Sequence, residues 1–409
     1  MNKFLKEFKD RGFFYQCTND NELSELLDRE NIKAYIGFDC TAPSLHVGSL
    51  LQIMCLRLLQ SHGHQPIVLL GGGTTRIGDP SGKDKTRKIL SEKEIEKNSK
   101  NIEKILKKFL KSNNKKTKPI FVNNYKWLKN LNYISFLRNV GKHFTINKML
   151  TFESVKNRLE REQSLSYMEF NYMILQAYDF LELNKKENCS LQIGGSDQWG
   201  NIVNGVELIK RYSDNQVFGL TTPLITLASG AKMGKTADGA IWLDKKYLSA
   251  YDYWQFWRNT DDRDVIKFLK FFTDLDVNEI NNLQHNNVNE LKILLANKVT
   301  EMLHGKKEAI KSEKIAKETF SFNSSGSNLP SLKIKKSVLQ KNFTIIDLIV
   351  LSKFENSKSE IRRLIKGNAI KINNETVISD KFIIEKKLFN ENFVKLSIGK
   401  KRHLKIELI

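Results

Sequence analysis

The sequence predicts an α/β protein: a parallel-sheet domain, then a helical region, then a small α+β domain at the C-terminus. Three observations carry that reading. Residues 32–70 run as a short apolar segment, a helix-periodic segment and a second apolar segment. That is a βαβ unit, which implies a parallel sheet. Around Ser321–Asn328 the composition shifts to Ser, Gly and Asn, as in a linker. The residues beyond it are basic, with 15 Lys/Arg against 8 Asp/Glu from Lys341 to Ile409.

Taken in order, residues 1 to about 30 read as helices, because Asn21–Leu27 carries apolar residues at helical spacing. Ile32–Phe38 is a buried strand, Val47–Ser61 a helix, and Pro66–Leu70 a second strand ending in Gly71-Gly72-Gly73. Residues 83–118 form a Lys-rich helix and loop with a solvated face. Ile134–Leu159 mixes basic and apolar residues, and Phe136, Leu137, Val140, Phe144, Met149 and Leu150 suggest a partner surface. Leu191–Gly195 is a third strand with a Gly-rich exit, and residues 245–320 turn helical. The implied division is 1–243 for the sheet domain with its partner-forming insertion and 244–325 for the helical domain. The linker is then 326–340 and the small last domain 341–409.

The chain has 409 residues, 40% hydrophobic and 28% charged, enough for two or three domains with sizeable cores. Its formal net charge of +21 points to a polyanionic partner, nucleic acid first. A Lys/Asn/Ile-rich composition also follows from AT-biased coding, so charge alone decides nothing. Cys17, Cys40, Cys55 and Cys189 form no C-x-x-C pair, so neither a zinc site nor a disulfide framework is expected. Met1–Tyr15 lacks the apolar core of a signal peptide, and no stretch is apolar enough to span a bilayer. A cytoplasmic location is the expectation.

The candidate chemistry lies at strand ends. His46 and Gly48 sit where a turn opens a helix, a place that favours phosphate. Tyr35 leads the first strand, and Asp39 and Thr41 lie at its end, where open parallel sheets bind ligands. Asp79 follows the next strand in a Gly/Pro turn and can receive a substrate ammonium; Lys83 and Arg87 can meet a triphosphate. Tyr172, Gln176 and Asp179, at i, i+4 and i+7, share one helix face. That polar stripe on an apolar helix is either a solvent edge or a pocket wall. Gly195 and Asp197, just after the third strand, suit a ribose, though Asp197 is equally a helix cap. Lys232 and Lys235 flank Gly234 in a loop that can close on developing phosphate charge.

Leu45-His46-Val47-Gly48-Ser49 and Lys232-Met233-Gly234-Lys235-Thr236 together resemble the HIGH and KMSKS signatures of class I aminoacyl-tRNA synthetases. With Tyr35–Gly48, Gly78–Lys83, Tyr172–Asp179 and Gly194–Asn201, the whole chain resembles the bacterial tyrosyl-tRNA synthetases. The resemblance implies a Rossmann-like catalytic domain, a helical anticodon-side domain and a C-terminal RNA-binding domain of the small ribosomal-protein type. It implies that Tyr35 and Asp179 bind the substrate's phenolic hydroxyl, and that Asp79, Tyr172 and Gln176 hold its ammonium. Asp39 and Gln198 would border the amino acid and ribose. Gly37, Thr41, Gly48, Ser49, Gly195, Asp197 and Met233 would complete the ATP site. His46, Lys83, Arg87, Lys232 and Lys235 would be the catalytic cations and donors.

Two positions depart from the signatures. Ser49 replaces the second His of HIGH with a shorter reach, and Gly234 replaces the Ser of KMSKS and should loosen the loop. The C-terminal run Ser359–Gly367 places Arg362, Arg363 and Lys366 on a helix closed by Gly367, a surface for gripping an RNA backbone. The implied reaction is tyrosine activation by ATP, with Mg²⁺ carried by the nucleotide and no protein-bound metal, then transfer to tRNA-Tyr. A homodimer formed through 134–159, with no membrane association, is implied with it. The rivals are a tryptophanyl-tRNA synthetase, an RNA-binding pseudo-enzyme on the same scaffold, and another H-x-G-H nucleotidyltransferase.

Overall fold

The computed structural model describes all residues except 82–88, 237–238, 321–330, 340–342, 356, 390–392 and 400–401. It divides into two compact units, Met1–Ala309 and Ile310–Ile409.

The first unit is built on six strands: β1 (Gln16–Cys17), β2 (Lys33–Asp39), β3 (Gln65–Gly71), β4 (Ile120–Asn123), β5 (Cys189–Gly195) and β6 (Phe218–Thr222). Their order is β1-β6-β5-β2-β3-β4. β2 to β6 pair in parallel, and β1 joins the β6 edge antiparallel. β2 to β4 step outward on one side of the sheet, and the chain then returns to lay β5 and β6 on the other. Strand order therefore reverses between β2 and β5, the point where open α/β sheets hold ligands. Register sharpens this: β2 stays paired with β3 to Asp39↔Gly71, but its pairing with β5 ends at Tyr35↔Gln192. Beyond Tyr35 the two central strands part, and a crevice opens.

The three strands legible in the sequence are β2, β3 and β5. β4 and β6 give no such signal, since each is only four or five residues long. Four helices cover the sheet: α1 (Leu50–Ser61), α2 (Glu92–Phe109), α3 (Tyr172–Glu187) and α4 (Trp199–Tyr212). The Lys-rich segment forms α2, started by a Ser91/Glu94 capping box and anchored by buried Ile95, Ile102, Ile105, Leu106 and Phe109. Asn188, at φ +53°, ends α3 in the left-handed region.

The helices Ala250–Arg258, Val265–Phe272 and Val288–His304 belong to this same unit, around Trp254, Trp257, Phe268 and Phe272. Buried Arg11 links them to the N-terminal helix by donating to the carbonyls of Lys270, Thr273 and Leu275. No helix among the described residues is long and apolar enough to cross a membrane.

The second unit has a five-stranded sheet and the helices Ile345–Leu351 and Lys358–Lys366, packed on Ile349, Ile361, Ile370, Val394, Leu396 and Ile406. Gly367 caps the second helix as expected, but the left-handed residue is Asn368 (φ +53°). Arg362, Arg363 and Lys366 are exposed on that helix. Arg362 pairs with Asp380 and Arg363 with Glu360.

Candidate active site

The crevice between β2 and β5 is a cleft of about 400 Å³. Tyr35, Gly37, Asp39 and Thr41 from β2 and its exit line it, with His46, Gly48 and Ser49 at the start of α1. Asp79, Tyr172, Gln176 and Asp179 line it too, as do Gly195, Asp197 and Gln198 after β5. The polar stripe on α3 is therefore a pocket wall. Segments more than 150 residues apart in sequence meet here because parallel strands deliver their carboxyl ends to one edge.

At the closed end, Asp179 is buried and both its oxygens are held. Asn124 Nδ2 donates to one at 2.8 Å and Trp127 Nε1 to the other at 2.7 Å. Burial pushes the Asp179 carboxyl up to about 7, against the pull of those two donors. Asn124 is itself fixed: its amide oxygen accepts from Gly73 N at 2.7 Å and its nitrogen also donates to Thr74 Oγ1 at 3.0 Å. Beside this acid lies Tyr35, buried, its Oη without a hydrogen-bond partner among the described residues. A fixed acceptor and an orphaned hydroxyl in one apolar end can serve a ligand's phenol.

The cleft's middle is a polar ring. Tyr172 Oη donates to Asp39 at 3.1 Å, and Thr74 Oγ1 donates to the other Asp39 oxygen at 2.8 Å. Gln198 Nε2 donates to Asp79 at 2.8 Å. Asn201 Nδ2 donates to both Gln176 and Gln198, at 3.1 Å each. Asp39 and Asp79 thus present two carboxylates to whatever enters, with Tyr172 on Asp39 and Gln198 on Asp79. Burial pushes the Asp197 carboxyl up as well. A Cβ at Gly195 would lie 2.6 Å from an Asp197 oxygen, so a side chain there would push the Asp197 carboxylate aside.

At the mouth, His46 caps the first turn, its Nδ1 accepting from Gly48 N at 3.0 Å. The segment holding Lys232 lies directly over it. Val47 N donates to Ile241 O and Leu243 N to Leu45 O, both at 2.9 Å. Met233 is buried and Lys232 exposed. Lys235 is on a short hairpin strand with Thr236, against Gly239 and Ala240. Lys83 and Arg87 fall outside the described residues. Among the described residues no three His, Cys, Asp or Glu side chains are grouped to hold a metal ion.

Residues 27–321 match the family described as tRNA synthetases class I (W and Y), and residues 321–406 match the tyrosine–tRNA ligase SYY-like C-terminal domain. A tyrosine–tRNA ligase from Pelagibacter ubique is 76% identical over all of both chains. One from Wolbachia pipientis of Culex pipiens is 53% identical over 99% of this chain and 97% of its own. The chain belongs to the class I tyrosine–tRNA ligase family. A solved structure agrees in fold: the C-terminally truncated mitochondrial tyrosyl-tRNA synthetase of Aspergillus nidulans has a TM-score of 0.70 at 31% identity. That match covers 78% of this chain and 94% of that one.

Within this family fold, the position of Gly234 differs from the sequence expectation. Instead of a merely looser loop, it marks a close approach. Its φ is +123°, and a Cβ there would sit 2.8 Å from His46 Nδ1. A Cβ at Gly48 would in turn lie 2.8 Å from Met233 O. The two signature segments touch through their glycines.

Sequence reasoning misses Asn124, Trp127, Thr74 and Asn201. Asn124 follows β4, a strand too short to be read from the sequence, so the strand-end signal that identifies Asp39 is missing there. Trp127 carries no such signal.

Proposed function

We propose that this chain activates tyrosine with ATP and transfers it to the 3′-terminal ribose of tRNA-Tyr. The observation that supports this best is the closed end of the cleft. Asp179, fixed by Asn124 and Trp127, and Tyr35, whose buried hydroxyl has no partner among the described residues, complement a phenol, and against a phenyl ring the Tyr35 hydroxyl would stay unpaired.

The substrate supplies its own nucleophile. A tyrosine carboxylate oxygen attacks the α-phosphorus, the bond to the bridging oxygen breaks, and pyrophosphate leaves. A ribose hydroxyl of tRNA then attacks the carbonyl carbon of the mixed anhydride, loses its proton, and AMP departs. Such a reaction depends on positioning and on stabilising phosphoryl charge. Asp79, Tyr172 and Gln176 hold the ammonium, with Asp39 and Gln198 beside them. Gly195 and Asp197 take the ribose, and Gly37, Thr41, Gly48, Ser49 and Met233 complete the nucleotide site. His46, Lys83, Arg87, Lys232 and Lys235 meet the phosphates. ATP enters as its magnesium complex, the ion belonging to the substrate.

Arg362, Arg363 and Lys366 of the C-terminal unit grip tRNA backbone. The chain works as a cytoplasmic homodimer. Tyr133 and Tyr167, both more than half exposed, line an apolar groove of about 430 Å³ on the first unit, and a second copy would cover it. Light scattering at micromolar concentration should give twice the monomer mass; a monomer would remove this part of the proposal.

Pyrophosphate exchange into ATP, run with tyrosine, tryptophan and phenylalanine, tests the whole. Exchange with tyrosine alone is expected. No exchange with any of the three, in folded protein, would favour the RNA-binding pseudo-enzyme.

A further inference from the structure

Asp179 has a second buried carboxylate for a neighbour. Glu182 lies on the same helix, α3, one turn further along. Residues three apart on a helix are about 5–6 Å apart at their Cβ atoms. A negative group so close opposes the charge on Asp179. Lys186, one more turn along α3, pairs with Glu182 Oε2 through its Nζ at 2.6 Å. The same Nζ lies 5.5 Å from the centre of the Trp127 ring. Trp127 is the indole whose Nε1 donates to Asp179 at 2.7 Å. Lys186 is therefore tied to two opposed influences on Asp179: the carboxylate that disfavours its charge and the donor that favours it. A cation over an indole ring also makes that ring's N–H a better donor. The other titratable groups around Asp179 are Asp39 and Tyr35 from β2 and Tyr172 and Tyr178 from α3. Asp39 opposes the Asp179 charge as Glu182 does, and burial keeps the three tyrosines protonated.

From this geometry we infer that Glu182 and Lys186 are positioning residues for the phenol site, acting on Asp179 in opposite senses. Glu182 works against the Asp179 charge, and Lys186 supports that charge by neutralising Glu182 and by standing over the Trp127 ring. The inference rests on the reading of Asp179 as acceptor for the substrate's phenolic hydroxyl. An ionised carboxylate offers about four lone-pair sites, enough for Asn124, Trp127 and a phenol together. A protonated carboxyl has given one of those sites to its own proton and accepts more weakly. The two side chains behind Asp179 thus set how far the pH can fall before tyrosine is bound poorly.

The test is the pH profile of kcat/KM for tyrosine in pyrophosphate exchange, with the wild-type chain, Glu182→Gln, Lys186→Met and Lys186→Arg. Glutamine keeps the shape of Glu182 and removes its charge. Methionine keeps an apolar stem against the indole and removes the cation. Glu182→Gln should move the acid limb to lower pH and Lys186→Met to higher pH, each by about half a unit. Below the limb the two variants should then differ by about tenfold, and Lys186→Arg should follow the wild type. A merely structural role would lower the whole profile and leave the limb in place. A limb unmoved by both substitutions, or moved the same way by both, overturns the inference. Should Glu182→Gln not fold, the exposed position decides alone, through Lys186→Met against Lys186→Arg. Tyrosine binding by equilibrium dialysis over the same pH range, with Asp179→Asn, separates this inference from the reading beneath it. An acid limb of binding that persists without that carboxylate would remove the phenol reading of Asp179, and the inference with it. If the limb is gone in Asp179→Asn, or binding itself is lost, while Glu182→Gln and Lys186→Met leave the limb where it was, the inference alone falls.

Discussion

Asp179 shows how much a single buried charge needs around it. Its carboxyl is pushed up to about 7 because burial disfavours the charged form, while the donors Asn124 and Trp127 pull it back down. Trp127→Phe removes one of them. The carboxyl then binds its proton more tightly, so the acid limb of kcat/KM for tyrosine should move to higher pH. A pH profile of pyrophosphate exchange checks this; an acid limb that stays put or moves down would contradict it. The stability sign follows from the same shift. A carboxyl raised above its ordinary value destabilises the fold as pH rises from about 4 through about 7. Asp179→Asn should therefore flatten the fall in thermal midpoint over that window.

At the scale of elements, the crevice is made by register and the mouth by two glycine-bearing segments. Gly234 is at φ +123° against His46. A side chain there costs of order 1–3 kcal/mol in backbone strain. Gly234→Ala should lower kcat of pyrophosphate exchange by roughly an order of magnitude while the tyrosine KM stays unchanged. An unchanged kcat would show that the approach to His46 is not used in the reaction. This scale also shows what a sequence can reveal. β2, α1, β3 and β5 are legible because each is seven residues or longer and mostly apolar. The cleft residues on their ends are legible with them, since polar residues after a buried strand have one place to go. β4 and β6 are too short to show a period. Asn124 and Trp127 lie beyond β4 and reach Asp179 from more than 50 residues away, a contact that only the sheet order creates. The role of Gly234 is hidden because a glycine's φ is not written in its neighbours.

For the whole molecule, the family matches divide at residue 321, and the compact units divide at Ala309. Either way the cleft is complete in the first unit, and the exposed arginines lie in the second. Among the described residues, Arg362 and Arg363 are held by exposed ion pairs with Asp380 and Glu360, which contribute little and yield readily to phosphate. Arg362→Ala with Arg363→Ala should raise the KM for tRNA and reduce its log–log salt slope by about 1 for each phosphate no longer neutralised. Pyrophosphate exchange, which needs no tRNA, should be unchanged. A salt slope equal to the wild type's would place the RNA-gripping surface elsewhere.

The central claim is that Tyr35 and Asp179 read the phenolic hydroxyl. The most direct measurement is the ratio of kcat/KM for tyrosine over phenylalanine in pyrophosphate exchange, compared among the wild-type chain, Tyr35→Phe and Asp179→Asn. Each variant should lose at least about tenfold of that ratio, the cost of one unmade buried hydrogen bond, with the loss falling on tyrosine. A ratio that survives both substitutions would mean that the hydroxyl is recognised by other residues.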